Sequence, residues 1–232
     1  MIIKFGGEIL SYNFVFSIEH LIILFFVAIF LFLLPSLTKN LLPYSYLVEK
    51  IICISFLFIT ILEQMYLISS QHYNVLYTLP ISITDITIYL CIAIFIFKKY
   101  HLFNVFFSWS IVCSIGDLIF FKDLLVEFPN ILYFFYILSR LLILYSLVYL
   151  IKVRKFSINS KCLTDNLKAC FLFFMFTYLL NKFYSTNYNY SFSSSNFYIF
   201  LLFILITSIT YVPILFNDNN NFIYKFKRKN KL

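Results

Sequence analysis

Glycine is nearly missing from this chain, with 3 in 232 residues, and proline is little commoner at 5. Helices unwound at glycine, on which many secondary transporters build their sites, therefore have little material here. Charge is scarce too, at 12% of residues. A chain 62% hydrophobic, with mean hydropathy +0.91, could not cover a soluble surface with polar groups. Cysteines 53, 91, 113, 162 and 170 form no CxxC pair, and no Cys/His cluster has zinc spacing. They read as small apolar fillers, and neither metal nor cofactor is implied. GxGxxG, Walker, HExxH and GxSxG motifs are all absent.

What the chain does have is apolar length. Seven runs, near residues 18–37, 47–68, 77–97, 102–121, 129–151, 166–184 and 196–216, approach the roughly 20 residues that cross hydrocarbon as a helix. A helix satisfies its own backbone groups, which lipid cannot do. The period-two alternation of a β-barrel is not seen, and Phe32, Leu33 and Leu34 run on continuously. The first run follows only one cation, Lys4, and no small-x-small site follows it, so it reads as retained rather than as a cleaved signal. The fold class is all-α: one polytopic membrane helix bundle of about seven transmembrane helices over residues 1–216. Residues 217–232, polar and basic, read as a disordered cytoplasmic tail.

Charge orients the bundle. If the connections alternate sides, the N-terminal side holds Lys4, Lys122 and Lys182, which is 3, against 14 Lys and Arg on the other. The positive-inside rule then puts the N-terminus outside and the C-terminus in the cytoplasm of a cell-membrane protein. The net charge of +8 reads as topology signal and as attraction to membrane lipids with anionic headgroups, not as nucleic-acid binding. The aromatic content carries no functional weight, because Phe, Tyr, Ile, Asn and Lys share AT-rich codons.

Ionisable groups inside a span cost about 2.5–3.5 kcal/mol each on insertion scales, so each needs a partner or a cavity. Glu63, Asp85, Asp117 and Arg140 fall inside spans and, with the orientation applied, in the outer half. Glu19, His20 and Asn181 fall there too. Thr78, Ser82, Asp85 and Tyr89 follow helical spacing, as do Ser110, Cys113, Ser114 and Asp117, and Tyr133, Tyr136 and Arg140. Three polar stripes could thus face one pocket, with Arg140 paired to Asp85 or Asp117. The plainer alternative is that these groups glue helices together or snorkel to the interface.

Particular residues carry a resemblance. Leu79-Pro80-Ile81-Ser82-Ile83-Thr84-Asp85 resembles the Leu-Pro-Leu-His-Leu-Cys signature of the YwaF-like family of bacterial integral membrane proteins, relatives of transmembrane protein 164. Phe16-Ser17-Ile18-Glu19-His20, Glu63, the stretch Phe106-Phe107-Ser108-Trp109 through Gly116 to Asp123, Phe128-Pro129-Asn130 and Thr186-Asn187-Tyr188 match it in order along nearly the whole chain. Seven helices fit that family. In its eukaryotic relatives a Cys in the third-helix motif and a His in the fifth helix serve acyl transfer between lipids. Here Thr84 stands at the Cys position, and the His position falls on or beside Ser139 and Arg140. Ser82 replaces the motif His. The resemblance implies a lipid acyl-transfer or lipid-hydrolysing site, possessed or degenerate. Thr84 would be nucleophile, His20 or His72 base, and Arg140 holder of the oxyanion. Glu63, Ser82, Asp85, Asp117, Asn181 and Asn187 would line the pocket. Two other readings stand beside it: a non-catalytic transporter or binder of a small solute, lipid or proton, and a membrane scaffold subunit.

Overall fold

The computed structural model describes residues 18–40, 42–69, 80–119, 131–159, 161–184 and 197–213. His72, Thr78, Asn187, the side chain of Glu19, the loop motifs at 122–130 and 186–188 and the tail 217–232 lie outside them. Within the described residues the chain is all-α. Its α-helices are α1 (Ile18–Lys39), α2 (Ser45–Ser69), α3 (Ile83–Phe95), α4 (Phe103–Ile119), α5 (Ile131–Lys152), α6 (Cys162–Tyr184) and α7 (Phe197–Ile209). Short 3₁₀ turns at Leu42–Tyr44 and Tyr100–Leu102 lead into α2 and α4. By length and apolarity, 5 helical stretches suffice to cross a membrane, and Ile83–Phe95 and Tyr198–Ile209 are shorter apolar helices.

The helices form because leucine, isoleucine and phenylalanine crowd each segment, with Pro35 in α1 and Gly116 in α4 as breakers inside the described helices. Where the reading from sequence misplaced an end, a specific signal outweighed apolarity. The third helix starts at Ile83, not at 77, because Ser82 caps it. The Ser82 side chain accepts from the Asp85 amide at 3.1 Å, and the Asp85 carboxylate accepts from the Ser82 amide at 3.0 Å. This is a capping box, an S-x-x-D pattern that overrides the apolar run. Ser82 and Asp85 are therefore tied to each other across a helix start, rather than lying on one helical stripe. The same helix stops at Phe95, and Lys98 turns the chain with φ 56°.

The stretch Tyr100–Ile119 is the centre, 61% buried, whereas His20–Lys39 is the periphery at 11%. Helix α4 packs on α3, α5, α6 and α7, while α5 also carries α1 and α2. Phe56, Cys91, Ile94, Phe106 and Ile143 form the main core between α2, α3, α4 and α5. A second core joins Val27 of α1 to Leu118, Tyr133 and Leu144. A third surrounds Trp109 with Phe173, Phe174 and Phe200. Outward stripes such as Leu47, Ile51, Ile54, Phe58 and Ile61 on α2 stay exposed, as lipid-facing residues must.

Contacts between ends make neighbouring helices antiparallel. The starts of α1, α3 and α5 meet the end of α4, here called the near end. The starts of α2, α4 and α6 meet the ends of α3, α5 and α7 at the far end.

Candidate functional site

Asp117 is the hub of the near end. Its Oδ2 accepts the Thr84 hydroxyl at 2.8 Å and Arg140 Nε at 3.2 Å, and pairs with Arg140 Nη2 at 3.1 Å. Three helices converge on that one oxygen. Thr84 comes from the first turn of α3, Asp117 from the last turn of α4, and Arg140 from three turns into α5. Arg140 is held further by Nη1 donating to Ser139 Oγ at 2.8 Å, and its guanidinium lies 3.7 Å from the ring centroid of Tyr136. Such stacking suits guanidinium where water is scarce. The Tyr136 hydroxyl donates to the Asp117 carbonyl at 3.0 Å, closing the loop between α5 and α4.

Asp85 stands beside Thr84 in the first turn of α3, and Glu63 stands on α2. Arg140 pairs with one of its two expected partners, Asp117, and points into the protein. Asp85 is held by its cap instead. Its Oδ2 also accepts the Ser82 hydroxyl at 2.5 Å. Asn181 stands half-buried on α6, which packs on α4 and α7 rather than on α3 or α5.

His20 is buried but serves elsewhere. Its Nε2 donates to the Leu118 carbonyl at 2.9 Å, and its Nδ1 hydrogen-bonds the Tyr133 hydroxyl at 3.0 Å. It braces α1 against α4 and α5. The hydrogen-bond partner of the Thr84 hydroxyl is Asp117, not His20.

Between α1, α4 and α5 lies an apolar cleft of about 390 Å³. Leu24, Val27 and Leu31 of α1, Ile111, Ile115 and Leu118 of α4, and Leu144 and Leu147 of α5 line it. Helix α1 forms one wall, packing on α5 and meeting Leu118 of α4 through His20 and Val27. Arg140 precedes the cleft-lining Leu144 and Leu147 on α5 at i, i+4, i+7 spacing, while the cleft itself is lined by apolar side chains. Asp117 adjoins Leu118 on the facing helix.

A model of the TMEM164 family matches residues 15–225. The chain belongs to the TMEM164 family. It is thus an integral membrane protein of the kind that the Leu79–Asp85 motif and its ordered companions resemble. No curated protein and no solved structure matches this TMEM164-family chain.

Two polar clusters escaped the reading from sequence. At the far end, Glu49 of α2 is buried at 3% exposure between Lys98 Nζ at 2.7 Å and Arg154 Nε at 2.9 Å. Glu49 lies near a helix end, where charge is ordinary, and the reading from sequence did not single it out. Along α4, α6 and α7, Asn166 Oδ1 accepts Trp109 Nε1 at 3.0 Å and Ser108 Oγ at 3.2 Å, while its Nδ2 donates to Thr207 at 2.9 Å. The Tyr211 hydroxyl donates to the Asn104 carbonyl at 2.6 Å. Asn166 was taken as the first residue of the sixth span; α6 starts four residues earlier, which places it one turn inside. Among the described residues, no group of three His, Cys, Asp or Glu could hold a metal ion.

Proposed function

We propose that this TMEM164-family protein is a seven-span cell-membrane protein, near end outward, that binds a membrane lipid with its polar linkage at Arg140–Asp117 and an acyl chain in the α1/α4/α5 cleft. What supports this reading is the nearness of two features along α5: the Arg140 guanidinium, 13% exposed and paired to Asp117, stands one turn from Leu144, which lines an apolar cleft. A small polar solute has no use for the cleft, and an apolar one has none for the guanidinium. A volume of about 390 Å³ falls in the ~300–1,000 Å³ range of small-ligand sites.

Acyl transfer is the finer reading. Arg140 has N–H groups left beyond those given to Asp117 and Ser139, and these can receive the carbonyl oxygen of an ester. The Thr84 oxygen would attack the carbonyl carbon as its proton passes to Asp117 Oδ2. The ester C–O bond then breaks, and the departing alkoxide takes that proton. Water or the hydroxyl of a second lipid releases the acyl group from Thr84 by the reverse exchange. Asp117 thus fills the base role first assigned to His20 or His72, and Arg140 keeps its oxyanion role.

The test is lipid profiling of cells with the wild-type protein, Thr84→Ala, and Arg140→Gln, at matched membrane levels. Acyl transfer predicts that both variants lose the same change in lipid species. Profiles of Thr84→Ala identical to wild type would remove catalysis and leave lipid binding, which a photoreactive fatty acyl probe crosslinking to Leu144 or Ile115 would report.

One observation favours a second reading. Asp85, Glu63 and Asp117 outnumber Arg140, which suits a proton- or cation-coupled pathway. That reading requires flux in proteoliposomes that Asp85→Asn alters.

A further inference from the structure

The far end gathers more positive charge than its own acid neutralises. Glu49 is ion-paired to Lys98 and Arg154, and Lys50 stands over the Tyr46 ring at 4.5 Å, with Lys98 on the same ring at 5.6 Å. Three cations are therefore joined through one carboxylate and one aromatic ring. Simple snorkelling would let these long side chains spread apart to lower their repulsion. Here they are fixed. Lys98 sits on a left-handed backbone, φ 56°, which costs energy for any residue but glycine. Arg154 is pinned twice, by Glu49 and by Nη1 donating to Ser45 Oγ at 3.2 Å.

Their donors are not spent. Among the described residues, Nη2 of Arg154, one of its Nη1 protons and two ammonium protons of Lys98 have no hydrogen-bond acceptor. Both side chains remain part-exposed, at 30% and 38%. The start of α2 lies at the same place, adding the positive end of a helix dipole. The exposed apolar stripe Leu47, Ile51, Ile54 and Phe58 runs along the outward face of the same helix. Fixed cations with free donors at the end of a membrane-length helix, and an exposed apolar face on that helix, match one ligand in charge and in shape.

We infer that Lys50, Lys98 and Arg154 form a specific site for the phosphate of an anionic phospholipid in the far-end leaflet, its chains lying along the outer stripe of α2. Glu49 acts as a positioning residue: it takes no part in holding the phosphate but draws Lys98 and Arg154 to one point, so the lipid finds its donors already ordered. The site is independent of the near-end reading, since it shares no residue with it.

The experiment titrates the full chain in neutral detergent with short-chain phosphatidylglycerol, phosphatidylcholine of equal chain length, and inorganic phosphate, read by calorimetry. Saturable binding of phosphatidylglycerol alone is expected. Lys50→Gln, which leaves Glu49 paired and the fold undisturbed, should weaken it roughly fivefold, and Arg154→Gln at least as much. Lys182→Gln, at the other end, should match wild type. Equal binding of phosphatidylcholine, or unchanged affinity in both Lys50→Gln and Arg154→Gln, would overturn the site. Inorganic phosphate binding as tightly as the lipid would overturn the lipid as its occupant.

Discussion

The two ends of the bundle solve the same electrostatic problem in opposite ways. At the near end a lone Arg140 lies among several carboxylates, and the groups stand on helices. At the far end a lone Glu49 lies among cations, two of which stand on the turns that follow α3 and α5. In each, one Asp or Glu is the point of convergence. The difference is access to water. Arg140 is 13% exposed, whereas Lys98 and Arg154 can reach solvent if released. A charge on a helix well inside the bundle has no second place to go; a charge on a turn at the surface has one. That makes the near cluster suited to hold a ligand against lipid, and the far cluster suited to present donors at an interface.

Removing the central acid from each end is the most direct way to break this contrast. Asp117→Ala strands Arg140 and leaves the Thr84 hydroxyl without its acceptor. Arg140 is 13% and Asp117 32% exposed, so breaking this pair from one side should cost about 2–3 kcal/mol, below the ~3–5 kcal/mol of a fully buried pair. Thermal unfolding in detergent should show a drop of that size, and Asp117→Asn, which retains an acceptor for Thr84, a smaller one. A loss under about 1 kcal/mol for Asp117→Ala would mean that Arg140 escapes to water, and the two ends would be alike.

Glu49→Gln is the matched change at the far end. The amide fills the same space, and the two released cations hydrate. The expected loss is about 1–2 kcal/mol, below that of Asp117→Ala, since hydrogen bonds to charged groups are given up but no charge is stranded. Equal losses at both ends in the same unfolding assay would erase the distinction drawn from exposure.

How far each end could be read from the sequence follows from the same physics. Glu63, Asp85, Asp117 and Arg140 were conspicuous because ionisable groups are rare within apolar spans. Their spacing then put Asp117 and Arg140 at a common depth, and the pairing follows. The partner of Thr84 was not legible, because a hydroxyl's acceptor depends on how α3 and α4 are rotated about their axes. The capping box at Ser82 and Asp85 was legible in principle, and the apolar run hid it. The far cluster was hidden for another reason. Glu49, Lys98 and Arg154 each sit where charge is ordinary, at a span's end, so no single residue was anomalous. Only their convergence is, and that lies in the third dimension. Asn166 was lost to an error of one turn in the start of α6.

A finer cut sharpens the near end alone. Thr84→Val keeps shape and removes the hydroxyl that donates to Asp117. The Arg140–Asp117 pair remains, so the loss should be about 0.5–1.5 kcal/mol in unfolding, toward the lower limit if membrane hydrogen bonds behave as they do on average. A loss as large as that of Asp117→Ala would make the three residues one indivisible network rather than a pair with an accessory donor.

The smallest expected effect carries the opposite sign. Ser114 is fully buried on α4, three residues before Asp117 and next in sequence to the cleft-lining Ile115, and its hydroxyl has no hydrogen-bond partner among the described residues. A buried hydroxyl without a partner costs about 1–3 kcal/mol, while removing one oxygen leaves only a slight void. Ser114→Ala should therefore leave stability unchanged or raise it, by up to about 1 kcal/mol. A clear loss in the same unfolding assay would mean that the hydroxyl is satisfied in the bilayer by a molecule occupying the cleft. In that event the polar surface of the near site runs one turn deeper than Arg140 and Asp117, toward the middle of the membrane, and the contrast with the shallow far site grows.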